Sequence, residues 1–377
     1  MEGRRRRGVT LAGLAVLVAA GTTTALAPPA RPYQQQSGHE AGRPGYEAAE
    51  AGAGAVRTGT EAAGAGTETA RAGAGAVRAG TEAAEPRPRP LPAAKQLKVM
   101  TFNSWVGGGW LKDPLRKQVA VMEKFKPDVV AMQETRGHAA RDLAKKLGWH
   151  AWQSSDDLGV VSRYPIERVT GRTSAGAGVR IALPGKQRVE LWTAHLYYRP
   201  FGAYDACFSH MSGKQIVRRE AQSGRVPQMR EIMRKLRVRA MIADAVHTPL
   251  LLAGDLNSPS YLDWTAATRN SHCGYGPFTW PVSKMIADTG FKDSYRVKHP
   301  DPKAQPGNTW SPVYPRHHGS TGRPEPQNRI DYIHYAGPLR VEDSRTVMAG
   351  TAKPIPYHKN NTWPSDHRAV LSTFSFE

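Results

Sequence analysis

The chain has 377 residues and a formal net charge of +20, of which residues 1–30 carry +3 and residues 31–96 carry +1, leaving +16 on the remainder. A segment that basic favours polyanions and anionic surfaces, because its summed potential steers oppositely charged partners toward it. With only Cys207 and Cys273 present, a cysteine-rich scaffold and a thiolate zinc site are excluded, although the two could pair in an exported chain.

The opening reads Arg4 to Arg7 and then a largely apolar run from Val9 to about Ala20, the basic and apolar regions of an export signal. Residues 1–27 are therefore expected to direct the chain out of the cytoplasm. Two outcomes are open. A small-x-small site at Ala25-Leu26-Ala27 is followed by Pro28; without cleavage, the segment could remain as an N-terminal membrane anchor. Residues 28–95 contain a near-identical repeat, AGAGAVRTGTEAA at 51–63 and AGAGAVRAGTEAA at 72–84. Neither copy has a large apolar face, so this stretch is expected to be a disordered linker that cannot offset its chain entropy.

From residue 96 to 377 the texture changes. Short runs of strand-like composition, LKVMTFN, PDVVAMQE, LGVVSRYP, RVELWTAHLYY, PLLLAGDLN, RIDYIHY and AVLSTFSF, alternate with helical spacing. Leu115, Val119, Met122 and Phe125 mark one helix; Leu143 and Leu147 before Gly148 mark a second with a glycine stop. A longer helix is expected through Met229, Ile232, Met233, Leu236 and Ala240. Mixed strands and helices of this kind predict an α/β domain with two packed sheets and helices outside.

The strand-like runs carry carboxylate, amide or imidazole groups at their ends: Asn103, Glu134, His195, Asp255 with Asn257, Asp331, and Asp366 with His367. Oxygen donors with two histidines suit a hard cation such as Mg²⁺, Mn²⁺ or Ca²⁺ and not a structural zinc. Glu134, with Asn103 and Asp366, is the expected ion-holding set. Such an ion would offset the charge with which a phosphodiester repels its nucleophile. Asp255 and Asn257, two residues apart, share a face and could position nucleophile and phosphate. His195 would face the phosphate.

These residues resemble the endonuclease/exonuclease/phosphatase superfamily. LKVMTFN is similar to its first motif, with Asn103; VVAMQET to the metal-binding block, with Glu134. SRYP and WTAHL fit the next two. LLAGDLNSPS is similar to the GDxN signature, and SDHRAV to the closing SDH block. The resemblance implies a DNase I-like two-sheet sandwich and pairing of His367 with Asp331. It also implies a metal-dependent phosphoester hydrolase, expected to be a monomer acting on nucleic acid or another polyanion, with catalytic His195, Asp255, Asn257, Asp331 and His367. A phosphomonoesterase or phospholipase C-type activity and a non-catalytic scaffold are the alternatives. Trp280 and Trp310 lie in loop-like sequence that could serve a lipid-directed enzyme. Tyr197, Tyr198 and Tyr204 could line a cleft, and Arg163 could contact phosphate. His317 and His318 are expected on a mobile surface loop.

Overall fold

A computed structural model describes residues 92–238, 240–319 and 321–377. The expected signal or anchor and all but the last four residues of the expected linker lie outside the described residues. Of those four, Ala94 packs part-buried against the central core, and Ala93 touches the turn at Gly185.

In chain order the elements are β1 (Gln96–Asn103), α1 (Pro114–Phe125), β2 (Val129–Gln133), α2 (Ala139–Leu147), β3 (His150–Gln153), β4 (Gly159–Ser162), β5 (Ile166–Arg172), β6 (Gly176–Ala182) and β7 (Arg188–His195). Then follow α3 (Gly202–Cys207), α4 (Gly213–Gln222), α5 (Arg225–Val238), α6 (Met241–Asp244), β8 (Leu250–Asp255), α7 (Pro281–Ala287), β9 (Lys292–Asp293) and α8 (Ser294–Lys298). The last are β10 (Arg316–His318), β11 (Thr321–Pro324), β12 (Asp331–Ala336), β13 (Leu339–Val347) and β14 (Ala369–Phe376).

The strands form two six-stranded sheets. The first has the order β13-β14-β1-β2-β4-β3 and the second β5-β6-β7-β8-β12-β9; β10 and β11 make a separate hairpin. Alternation places Val99, Val129, Val160 and Val370 of the first sheet against Val179, Leu191, Leu251 and Ile333 of the second in one buried layer. The opposite face of the first sheet packs Met100, Phe102, Val130 and Met132 on α1 and α2 residues. The opposite face of the second packs Trp192, Leu250 and Leu252 on Met229, Ile232 and Leu236 of α5. This is the expected two-sheet sandwich with outer helices.

Local chemistry explains most boundaries. Pro114 starts α1 at a position where no amide hydrogen is needed. Gly148 closes α2 in the left-handed conformation (φ 68°), as its position in the sequence suggested. The α5 helix ends at Val238, short of the expected Ala240, which adopts φ 54° ahead of α6.

Pairing between strands positions the site. β7 runs parallel to β8 with His195 opposite Asp255, and β12 runs antiparallel to β8 with Asp331 opposite the same Asp255. Three polar residues therefore share one rung at one edge of the second sheet. In the first sheet, parallel β1 and β2 end together with Asn103 opposite Gln133. One rung before His195, Gly254 lies so close to β7 that a Cβ there would be 1.9 Å from the Ala194 carbonyl oxygen.

Two sequence expectations require correction here. Trp280 and Trp310 are interior residues, 0% and 6% exposed, and form part of an aromatic cluster with Phe201, Trp264 and Phe278. They offer nothing to a lipid surface. His317 and His318 belong to the β10 hairpin rather than to a mobile loop. The His317 ring lies 4.5 Å from that of Tyr204 and 4.8 Å from that of Phe208. The sequence signal for a loop was proline and glycine content, which a short hairpin shares.

Candidate active site

The backbone leaves β2 through a left-handed Glu134 (φ 57°), and Trp105, Val106 and Asn257 nearby are also left-handed. Non-glycine residues in that region cost energy that surrounding structure must hold, and they gather where side chains need unusual aim. The turn after β1 gives the reason for two of them. The Trp105 amide donates to Asn103 Oδ1 (2.9 Å) and the Val106 amide to Glu134 Oε2 (2.8 Å). Both side chains are fixed by backbone donors in the turn after β1.

Asn103 is the link between the sheets. Its Nδ2 donates to Glu134 Oε1 and to Asp255 Oδ2, each at 3.1 Å. Asp255 in turn accepts the Asn257 amide at 2.9 Å, while the Asn257 side chain donates to the Leu196 carbonyl at 3.0 Å.

Two histidines flank Asp255 almost symmetrically. His367 Nδ1 lies 2.8 Å from Asp331 Oδ2, and its Nε2 lies 3.7 Å from Asp255 Oδ2. His195 Nδ1 lies 2.9 Å from Asp157 Oδ2, and its Nε2 is also 3.7 Å from Asp255 Oδ2. Each imidazole thus has one nitrogen anchored on a carboxylate and the other turned to a shared centre. A carboxylate at Nδ1 selects the tautomer and supports a positive charge on the ring. Burial disfavours protonation of His195, but Asp157, Asp255 and Glu134 outweigh it and push the group up to about 10. Burial likewise opposes the charge on His367, and Asp331 and Asp255 raise it well above its ordinary value. Asp255 is pushed up to about 6 by burial and by the neighbouring Asp331 charge.

Asp366 differs from the other acids. It is 1% exposed, and neither carboxylate oxygen has a hydrogen-bond partner among the described residues. Burial, with Glu134 and Asp255 nearby, drives its carboxyl well above the usual range. Its backbone is held firmly: Ser311 Oγ donates to the Asp366 carbonyl (2.7 Å), Ser365 Oγ to the Asn103 carbonyl (2.7 Å), and the His367 amide to Ser365 Oγ (3.0 Å). Trp363 donates to the His367 carbonyl (2.6 Å), and the Trp310 ring packs edge-on against the His367 ring at 5.0 Å.

All eight residues singled out from the sequence therefore meet in one place: Asn103, Glu134, His195, Asp255, Asn257, Asp331, Asp366 and His367. Asp157 was missed. It lies just before β4 and serves both His195 and the Glu134 amide (3.0 Å); its only signal was an Asp-Asp pair, which looks like an ordinary turn. Arg163 is elsewhere, bonded to the Pro127 carbonyl and lying over the Trp149 ring. Tyr204 is part-buried against the aromatic cluster and donates to Glu325, and Tyr197 and Tyr198 are likewise partly exposed just beyond His195.

An uncharacterized protein from Caenorhabditis elegans is 32% identical over 290 residues, covering 74% of this chain and 91% of that one. Among solved structures, D. rerio TDP2 complexed with single strand DNA product is 14% identical, covers 75% of this chain and 100% of its own, and has a TM-score of 0.49. The human Nocturnin catalytic domain with bound sulfate anion is 16% identical, covers 76% and 97%, and has a TM-score of 0.47. The family model described as Endonuclease/Exonuclease/phosphatase matches residues 100–367, a span that takes in the site from Asn103 to His367, and the chain belongs to that family.

Proposed function

We propose that the chain is an exported, divalent-metal-dependent phosphodiesterase. The observation that carries this reading is the division of the site. Two carboxylate-anchored imidazoles converge on Asp255, while the buried Asp366 carboxylate beside Glu134 accepts no hydrogen bond among the described residues and faces His367 Nε2 only at 4.0 Å. A buried carboxylate without hydrogen bonds is costly, so an oxygen-rich pocket of this kind fits a hard cation.

Glu134 and Asp366 would hold the ion, with the second lone pair of Asn103 Oδ1 available to it. Asp255, Asp331 and His367 also offer atoms within 4.8 Å of one another. The hydrogen bond between His367 and Asp331, with Asp255 3.7 Å from the other ring nitrogen, makes them a proton-handling unit first. Bound Mg²⁺, Mn²⁺ or Ca²⁺ supplies neutralisation of a phosphate oxygen and of charge developing in the transition state.

The protein's own groups do the rest. Asp255, between both Nε2 atoms, orients the attacking water and accepts its proton. Asp331 and Asp157 keep His367 and His195 aimed at the phosphate, where Nε2–H donors stabilise the anionic transition state and supply the leaving group's proton. The basic folded segment favours a polyanionic substrate, and the basic-then-apolar opening supports export.

The test is hydrolysis of bis-p-nitrophenyl phosphate by protein freed of metal and then given Mg²⁺, Mn²⁺ or Ca²⁺, with p-nitrophenyl phosphate run in parallel. Turnover of the diester restored by at least one ion is expected. Preference for the monoester would move the reading to a phosphomonoesterase; no turnover of either would leave a binding scaffold.

A further inference from the structure

Beside the ion-holding end of the site, the loop between β13 and β14 closes on itself. Asn361 accepts from the Lys353 amide (2.7 Å) and donates to the Lys353 carbonyl (2.9 Å), and the Tyr357 amide donates to the Pro354 carbonyl (2.8 Å). Its inward residues are apolar or stacked. Ile355 packs with Trp105, Leu111 and Val313, and the buried His358 ring lies 5.2 Å from that of Trp105. Trp105 in turn donates its amide to Asn103, so this loop stands one ring away from the site.

Its outward residues are of another kind. Tyr357 is 70% exposed, and Lys353 and Lys359 are exposed on either side of it. A concavity of about 460 Å³ lies among Lys353, Pro354, Pro356, Tyr357, Lys359 and Asn360. A second turn meets this loop where the Lys112 amide donates to the Lys359 carbonyl at 3.0 Å. That turn carries Trp110, 44% exposed, and Lys112, also exposed. Tyr357 and Trp110 are the two aromatic residues among the exposed large hydrophobic side chains of the described residues. Both lie on these adjoining turns. Among the described residues, Lys112, Lys353 and Lys359 make no side-chain ion pair; the acid next to Lys112, Asp113, faces Arg116 at 3.9 Å.

Exposed rings cost free energy in water, and like charges gathered without counter-charges repel. Rings interleaved with lysines suit a ligand with flat apolar faces and regularly spaced anionic groups, as unpaired nucleotides have. We propose that Trp110, Lys112, Lys353, Tyr357 and Lys359 form a binding surface for single-stranded nucleic acid, holding the segment that flanks the scissile phosphate. Tyr357 and Trp110 stack on bases whose edges are free, and the lysines take the phosphates. A duplex would present only its backbone, leaving both rings in water. This inference rests on the phosphodiesterase reading for its role in catalysis, but the binding itself can be measured without turnover.

The experiment uses the full chain in EDTA and a fluorescein-labelled oligothymidylate, followed by anisotropy across a salt series. Tyr357→Ala is expected to weaken binding about tenfold and Tyr357→Phe to restore it, the scale and tolerance of base stacking on an aromatic ring. Replacing Lys353 and Lys359 by Gln should reduce the slope of log K against log salt by about 1.4, or about 0.7 for each phosphate left without its lysine. The same change at Lys145 and Lys146, exposed on α2, should leave the slope as it was. Equal oligonucleotide affinity in wild type and Tyr357→Ala overturns the proposal. So does Tyr357-dependent cosedimentation with phosphatidylserine vesicles in place of oligonucleotide binding, which would make this a lipid-facing surface. Failure of the wild type to hydrolyse bis-p-nitrophenyl phosphate would refute the phosphodiesterase reading and leave the anisotropy result to stand by itself.

Discussion

The edges of the two sheets meet at the site but are finished differently. The first sheet brings Asn103, Glu134 and, just ahead of β14, His367 and Asp366, whose carboxylate is buried without a hydrogen bond among the described residues. The second brings His195, Asp255 and Asp331 on one rung, and each histidine of the site has its Nδ1 anchored. One group holds a buried carboxylate without a hydrogen bond, and the other holds rings already anchored. The difference teaches that cation binding and proton handling place opposite demands on a fold. A ligand carboxylate must be left incompletely satisfied, at a cost in stability, whereas a catalytic imidazole works only when its far nitrogen is fixed.

The largest effect should come from neutralising the unsatisfied edge. Glu134→Gln or Asp366→Asn is expected to cut metal-dependent turnover by about 10³, the upper scale for loss of one positioned electrostatic group. In EDTA the Asp366→Asn protein should nevertheless be more stable than wild type by about 1–3 kcal/mol, because a buried ionisable carboxyl that accepts no hydrogen bond is removed. Urea unfolding beside the kinetic assay checks both signs; a destabilised variant would show that Asp366 is already satisfied, and the contrast between the edges would fail.

Among the anchored rings, His367→Ala and His195→Ala should each lower turnover by about 10². Asp331→Asn should add little to His367→Ala, and Asp157→Asn little to His195→Ala, since each carboxylate acts through its ring. Multiplicative losses in either double mutant would mean that the carboxylate works on its own.

The second sheet's side also bears the covalent tie. Cys207, ending α3, is bonded to Cys273, 66 residues on, as the sequence had left open. Replacing both by Ser should cost about 4 kcal/mol in denaturant unfolding, the chain-entropy estimate for such a loop. A loss under about 1 kcal/mol would place the constraint elsewhere.

Acid should weaken the same side. Burial pushes His272, stacked on Trp264 at 4.5 Å, and His334 on β12 down to about 4. Both are neutral when folded, and the unfolded chain takes up their protons first. Stability is therefore whole above the unfolded value of about 6.5. It declines as pH falls from there to about 4, below which the folded state is protonated too. Asp255 and Asp366, both raised, take up protons in the folded state over the same range and work the other way, so the histidine part is read as a difference. Between about pH 6.5 and 4 the wild type should lose a few kcal/mol relative to His272→Gln, and equal slopes in the two proteins would assign the acid response to other groups.

Much of this was legible in the sequence. Strand-like runs ending in polar residues gave the site because side chains at a sheet edge need no long-range contact to be recognised. Edge strands were not. β5, β9 and β13 lack apolar continuity, and their pairing depends on neighbours far along the chain. Asp331 opens β12 and His367 lies just before β14, since these antiparallel strands bring their starts to the edge where β8 and β1 finish. Asp157 escaped because its role depends wholly on where β4 is placed relative to β7. The interior position of Trp280 and Trp310 escaped for a similar reason, being set by an aromatic cluster assembled from segments between 201 and 330.

Gly254 gives the site a kind of heritable dimension. With room for no more than a hydrogen against the Ala194 carbonyl, it lets β7 and β8 approach to ordinary ladder spacing one rung before His195 and Asp255. The interval between imidazole and carboxylate is consequently written into the main chain, and substitutions among surrounding apolar side chains can accumulate without altering it. An added methyl group at 254 would wedge the strands apart. A one-residue insertion in either strand would turn a catalytic side chain to the opposite face. Lineages carrying this architecture are thus free to vary in packing and in loops, and are confined in strand length.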